Sequence, residues 1–390
     1  MKLAERMDRI LIESAFEVLV RARALEATGR NVIHLEIGEP DFPTPAHIVE
    51  AAKKALDEGW THYGPTQGYP ELREAVAAHF SATRGIRVGA QHVSIVPGGK
   101  PIIFFPMLAL LEPGDEVIYP DPGFPIYQSM IQFLGATPVP IPLLESRGFS
   151  FDLDVLRNKL SSKTKMLVLN SPQNPTGGVI PADEIRIIAD LVRERDLIVL
   201  SDEIYTRIHY GERPASIASL PGMLEKTIIL DGFSKTYAMT GWRVGYAIGP
   251  RPIIDAMSKL QSQSTSNTNS IAQKASIAAL TGSQDCVEEM CKDYISLRDQ
   301  ILRGFSEIPG ITCARPEGAF YVYPNVSQFF GRHGMNSAAD VARKLLHEAH
   351  VVTVPAEAFG TKEHVRLSYA VSHEEIDKGL ARMKKFFASI

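Results

Sequence analysis

The chain has 390 residues, 45% of them hydrophobic, and a formal net charge of -4. That length accommodates one large domain plus a smaller one, or two comparable domains. The near balance of charge excludes a general electrostatic pull toward nucleic acid or an anionic membrane.

The N-terminal stretch "MKLAERMDRILIESAFEVLV" mixes charges into its apolar residues, unlike a secretory signal peptide. It predicts a helix from Arg6 to about Thr28. A Pro-rich crossing segment follows at residues 31–45, "NVIHLEIGEPDFPTP". In "VPGGKPIIFF" two glycines and Lys100 precede a long apolar helix. Backbone N–H groups at a helix start bind phosphate, and glycines let the anion approach. The longest apolar run, Pro101 to Leu111, falls short of the roughly 20 residues that span a bilayer. Phe124, in "DPGFPIY", offers a ring that stacks on a flat ligand or simply fills core.

Through the middle, "DEVIYP", "KMLVLN", "LIVLSDE" and "TIILDG" read as buried strands. "PADEIRIIADLVRERD" reads as a helix between two of them, with Ile185, Ile188, Ala189 and Val192 at helical spacing. Asp183 and Glu184 favour its N-terminal end. This rhythm implies a mostly parallel sheet covered by helices, an α/β fold with ligands at the carboxyl ends of the strands. Three successive exits carry unusual polar loops: "NSPQNPTGG", "SDEIY" and "SKTYAMTGWR". One pocket built from all three is expected.

The last hundred residues read as a second α+β unit. "KDYISLRDQILRGF" is helical, "GAFYVYPNV" a strand, and "SAADVARKLLHEAHVVTVP" a helix leading into a strand. The expected division is 1–45, an N-terminal helix and crossing segment joined to the small domain; 46–285, a large domain; and 286–390, the small C-terminal domain. Cys286, Cys291 and Cys313 form no CxxC pair. They fit a reducing, cytoplasmic compartment better than a disulfide framework. The eleven histidines show no HExxH spacing, and "HEAH" at 347–350 reads as a solvated helix face rather than a metal site.

Chemistry concentrates in the three loops. Lys235 sits among small, hydroxyl and apolar residues, where desolvation makes an amine a nucleophile toward an aldehyde. Arg243 offers a planar, doubly donating fork to a phosphate. Aldehyde and phosphate together describe pyridoxal phosphate. Taken singly, a lysine and an arginine more often belong to structural networks. Asp202 ends a strand of buried residues, and a carboxylate there needs a cation. A protonated pyridine nitrogen is one answer and a helix cap is another. Tyr205 and the Asn174 amide are placed to hold the ring oxygen. Arg366, in "EHVRLSYA", offers a bidentate fork to a substrate carboxylate.

With these motifs in this order, the chain resembles the class I and II aminotransferases of pyridoxal-phosphate fold type I, within them the bacterial aspartate-aminotransferase-like branch. The resemblance runs from "IGEPDFPTP" to "HVRLSYA" and is most specific at "GFSKTYAMTGWRVG". It implies a seven-stranded-type, mostly parallel sheet sandwiched by helices, plus a small α+β domain formed by both termini. It implies that Lys235 carries the cofactor and that Asp202 pairs with the ring nitrogen. Tyr205 and Asn174 would hold the ring oxygen and Phe124 would stack on the ring. Gly99, Lys100, Ser234 and Arg243 would bind the cofactor around its phosphate. Tyr63 would reach the phosphate of a neighbouring subunit in a homodimer with shared sites. Gly38 and Arg366 would bind the substrate α-carboxylate.

Two departures bear on function. Many members carry serine three residues before the lysine, where this chain has Gly232. Members acting on aspartate carry "SATV" near the N-terminus, where this chain has "SAFE", with Phe16 facing the substrate. Phe16 favours neutral or aromatic substrates, whereas Lys100 favours a distal carboxylate. The expected activity is ping-pong transfer of an amino group between an L-amino acid, aspartate or glutamate favoured, and a 2-oxo acid such as 2-oxoglutarate. The alternatives are neutral or aromatic donors, elimination or oxidation on the same cofactor, and a cofactor-binding sensor. No nucleic-acid or membrane partner is expected.

Overall fold

The computed structural model describes residues 2–10 and 14–390, with side chains in the first helix from residue 17 onward. An eight-stranded sheet dominates it. From one edge the strands run Val93–Val96, Gly245–Ile248, Thr227–Gly232, Ile198–Asp202, Thr164–Asn170, Glu116–Asp121, Thr137–Leu144 and the two-residue Ser150–Phe151. Gly245–Ile248 and Ser150–Phe151 run antiparallel to their neighbours, and the intervening pairs are parallel. The seven-stranded parallel type is therefore present, with a short hairpin added at one edge.

The four strands anticipated from apolar runs are all there. They are buried because both faces of the sheet are covered. Successive residues feed different cores: Val199 joins the cluster of Leu167, Leu169 and Ile188, while Leu200 joins that of Ile102, Met107 and Met257. Strands covered on both faces read as continuous hydrophobic runs. The helix Ala182–Arg193 buries Ile185, Ile188, Ala189 and Val192, as its spacing predicts.

Register sets the level of the strand ends. Asn170 pairs with Asp202, and Asp202 with Leu230, in parallel neighbours. The three polar loops therefore leave the sheet side by side.

Both ends of the chain meet. Ile33–His34 pairs in parallel with Val351–Val352. The strand Val365–Ser368 lies between Tyr321–Val322 and Val354–Pro355, antiparallel to both. Ala22 of the helix Ser14–Glu26 packs with Val32, Leu346 and Val352.

Three sequence expectations need correction. The N-terminal helix is not continuous from Arg6. A 3-10 turn, Glu5–Arg9, precedes the α-helix Ser14–Glu26, and Arg9 lies against Gly135 rather than against the C-terminal part. In "GAFYVYPNV" only Tyr321–Val322 forms a strand, because the chain must turn there to place its aromatic rings in the core. The helix beginning at Ala338 widens into a π-turn over Leu345–Ala349 and ends with His350 at positive φ. His347 and His350 thus do not share a regular helix face, and among the described residues no cluster suits a metal ion. No helix among them is long and apolar enough to cross a membrane.

Leu200 is fully buried at the sheet centre. Leu200→Ala is expected to cost about 2–5 kcal/mol. Urea denaturation should show a clearly lower midpoint, and an unchanged midpoint would contradict this packing.

Candidate active site

The site begins with a buried carboxylate. Asp202, 5% exposed, ends its strand. Its Oδ2 accepts the Tyr127 hydroxyl at 2.7 Å, and its Oδ1 accepts the Ile204 N–H at 3.2 Å. Among the described residues it has no ion-pair partner within 4.0 Å. Burial pushes its carboxyl up to about 6, against the pull of Tyr127 and Ile204. Next door, the Asn170 amide donates to the Asp202 carbonyl at 3.2 Å, and its Oδ1 accepts the Asn174 N–H at 3.0 Å. That exchange ties the first two loops together.

Lys235 follows the strand Thr227–Gly232 in a tight turn, with Tyr237 N–H donating to Phe233 O and Met239 N–H to Ser234 O. Its Nζ donates to the Gly38 carbonyl at 2.5 Å and lies 5.9 Å from the centre of the Phe320 ring. Ser234 is buried beside it. The crossing segment is stapled to this loop at three further points. Thr44 Oγ1 donates to Ala238 O at 2.6 Å, Thr240 to Glu39 at 2.7 Å, and Trp242 Nε1 to Thr44 at 3.0 Å. Ala238 and Arg243 hold left-handed backbone, φ 50° and 54°. Such strained positions persist where surrounding contacts over-determine them.

Arg366, 4% exposed, reaches in from Val365–Ser368. Its Nη1 donates to Asn174 Oδ1 at 3.0 Å and its Nη2 to the Glu36 carbonyl at 2.5 Å. The guanidinium lies 4.7 Å from the Tyr321 ring centre and 5.0 Å from that of Phe359. Its buried Nε has no partner. Tyr321 in turn meets the Tyr205 hydroxyl at 2.9 Å. Burial, with Tyr321 beside it, pushes the Tyr205 phenol well up.

Arg243 is exposed, and its Nη1 donates to Thr240 O at 2.8 Å. Its Nη2 presses on Gly98, at φ +89°, where a Cβ would collide with it. Gly98, rather than Gly99, is the glycine this guanidinium requires. Lys100 Nζ lies 5.8 Å from the Phe124 ring centre, and Phe124 meets Tyr127 edge-on at 5.9 Å. A Cβ at Gly232 would lie 3.0 Å from Gly245 Cα, so a serine there forces that strand to yield.

The structure thus gathers Gly38, Gly99, Lys100, Phe124, Asn174, Asp202, Tyr205, Ser234, Lys235, Arg243 and Arg366 around the sheet's carboxyl edge. Tyr63 is not among them; it is 89% exposed on the surface. Phe16 lies outside the residues whose side chains are described. Sequence reading missed Tyr127, Tyr321, Asn170 and Gly98. Tyr127 was signalled by "DPGFPIY" and Gly98 by the glycine pair, but Tyr321 only meets the site through folding.

These residues fit pyridoxal phosphate. A buried carboxylate without a cation, a primary amine nearby, and a guanidinium packed on a glycine suit its ring nitrogen, aldehyde and phosphate. The arrangement defines a pyridoxal-phosphate-dependent transferase of amino groups. The profile of the family "Aminotransferase class I and II" matches residues 30–383, and the chain belongs to this family. It is 38% identical to an aspartate aminotransferase of Bacillus subtilis, with 99% of each chain covered. The Thermus thermophilus aspartate aminotransferase with maleate superposes with TM-score 0.94 at 38% identity, 99% of each chain covered. An alanine aminotransferase from Pyrococcus furiosus superposes equally well, TM-score 0.94, at 31% identity over 100% of both chains.

A carboxyl whose folded pKa is raised contributes stability that is full below its unfolded value and is lost as pH rises through the folded value. For Asp202 that window runs from about pH 4 to 6. In cofactor-free protein, wild type should lose roughly 3 kcal/mol relative to Asp202→Asn across it. Urea midpoints of the two should diverge with rising pH, and parallel profiles would contradict an isolated buried carboxylate.

Proposed function

We propose that this chain moves an amino group between an acidic L-amino acid, aspartate or glutamate, and a 2-oxo acid such as 2-oxoglutarate. The observation that carries the acidic preference is Lys100, whose ammonium stands 5.8 Å from the centre of the Phe124 ring, the ring that meets Tyr127 edge-on. The aspartate aminotransferases among its relatives support the same reading. A neutral donor is the second reading, favoured by the likeness to an alanine aminotransferase.

We assign each residue a role that its position supports. When bound, pyridoxal phosphate supplies an electron sink for the pair left by cleavage of the substrate Cα–H bond. Lys235 would hold the cofactor aldehyde through Nζ, and its free amine would serve as the base for the substrate Cα proton. Asp202 would hold the ring nitrogen and keep its proton there, with Lys235 the other cation whose charge reaches this carboxylate. Asn174 directs its amide NH2 to the ring oxygen, since its Oδ1 is held by Arg366, and Tyr205 donates to the same oxygen. Arg243, Ser234 and the backbone at Gly98 and Gly99 take the phosphate, and Phe124 stacks on the ring. Arg366 and the backbone of Gly38 clamp the α-carboxylate and so orient the Cα–H bond.

We further assign residues 46–285 to a large domain, and 1–45 with 286–390 to a small one that closes on the substrate through Arg366. A cytoplasmic homodimer fits three free cysteines and the exposed Tyr63, whose hydroxyl would serve the partner's phosphate.

Lys235→Ala should abolish turnover, because proton transfer by a positioned base alone is worth about 10²–10⁴-fold. Arg366→Ala should raise KM for amino acid and oxo acid alike, while cofactor absorbance persists. Half-reactions with aspartate, glutamate, alanine and phenylalanine test the substrate. Fast conversion by the acidic pair, weakened roughly 10–100-fold in Lys100→Ala, is expected. Faster conversion by alanine or phenylalanine would replace the acidic reading with the neutral one.

A further inference from the structure

A second group of arginines lies away from this site. A surface pocket of about 200 Å³ opens where the end of the helix Pro70–Arg84, the start of Ala182–Arg193 and the loop at 213–220 converge. Arg84, Arg186 and Arg213 line it, with Thr83, Ser216 and Ser219. Arg207 is close enough to raise the electrostatic cost of Arg213.

The acids nearby neutralise Arg84 and, among the described residues, leave the other arginines of this group without a partner carboxylate. Glu203 is buried and engaged: Arg84 Nε and Nη2 donate to its Oε2 at 3.1 and 2.7 Å, and Ser216 to its Oε1 at 2.5 Å. Glu184 is held by Arg147 and Ser150. Asp183 is exposed at the helix start and, among the described residues, lies within 4.0 Å of no pocket arginine. Arg186, Arg207 and Arg213 have no carboxylate within 4.0 Å among the described residues. Arg213 spends one donor on Thr83 O at 3.0 Å, and Arg207 one on Gln284 at 3.3 Å. The side chain of Arg84 is 4% exposed, so its direction is fixed by packing rather than by solvent. Burial and the neighbouring arginines hold the Arg213 guanidinium below its usual value, and burial with Arg207, Arg84 and Arg213 holds His79 down to about 4.

Arg186 and Arg213, forked donors without a carboxylate of their own, stand beside Arg84, which Glu203 neutralises and locks in place, and together they match a tetrahedral dianion. The volume is below the roughly 300–1,000 Å³ of sites for drug-sized ligands, which selects a compact one. We infer that the pocket lined by Arg84, Arg186 and Arg213 is a binding site for a small phosphate dianion, either inorganic phosphate or a short phosphomonoester. A bound dianion bridges three elements, and Arg84 connects it through Glu203 to the strand end that carries Asp202.

Calorimetric titration of the cofactor-loaded enzyme tests this, at constant ionic strength in chloride. Inorganic phosphate and glycerol 2-phosphate serve as the two probes. Saturable binding is expected for wild type, weakened at least about 10-fold in Arg213→Ala and in Arg186→Ala, and retained in Arg366→Ala, which disables the substrate clamp instead. The tighter of the two probes identifies the source. Arg186 and Arg213 are exposed, so their variants should melt like wild type without phosphate; a phosphate-induced rise in melting temperature should occur in wild type and Arg366→Ala and be much smaller in the two pocket variants. Equal binding in wild type and Arg213→Ala, loss of binding in Arg366→Ala alone, or no saturable heat with either probe overturns the site.

Discussion

The structure turns on a single carboxylate taken out of water. Asp202 is buried at the end of a central strand with a hydroxyl and a backbone N–H as its donors. A carboxylate in that setting is expensive unless a cation joins it. The parallel register that levels Asn170, Asp202 and Leu230 fixes where the cation must stand. The site thus holds a buried carboxylate at a fixed level of the sheet, a setting that suits the protonated ring proposed for it. Its remaining parts are spaced around that requirement.

The second organising contact is between the crossing segment and the lysine loop. Gly38, Glu39 and Thr44 accept or donate hydrogen bonds across a separation of about two hundred residues. The same segment continues into Glu36, whose carbonyl holds Arg366, and into the strand that pairs with Val351–Val352. One extended stretch thus touches the amine, the carboxylate clamp and the C-terminal sheet.

Glycines mark the tightest approaches. Gly98 admits the Arg243 guanidinium, and Gly232 faces Gly245, which in turn faces the Gly98 carbonyl. A serine at 232 would have to push the strand at Gly245 aside by a few tenths of an ångström. Charge is handled in two ways across the molecule. Arg366 is buried among aromatic rings and aimed at the site, whereas Arg84, Arg186 and Arg213 gather on another face without enough acid to balance them.

Much was legible in the sequence. Buried parallel strands are continuous apolar runs, so "KMLVLN", "LIVLSDE" and "TIILDG" announced themselves, and the loops after them carried Asn174, Asp202 and Lys235. The family resemblance supplied Arg366 and Tyr63, which lie far away in the chain. What local pattern could not supply was partnership. Tyr127 reaches Asp202 across 75 residues, and Tyr321 reaches Tyr205 across 116; nothing near either tyrosine in the chain records the other. The break in the first helix and the single short pairing in "GAFYVYPNV" were likewise decided by neighbours. Sequence by itself determined the strand order of chemistry and the residue types each loop presents, because those depend on periodicity and composition within a few residues. Only the tertiary structure decided which polar groups are shared, which arginines lack a counter-charge, and which glycines are obligatory, because these depend on distances between segments the chain keeps far apart.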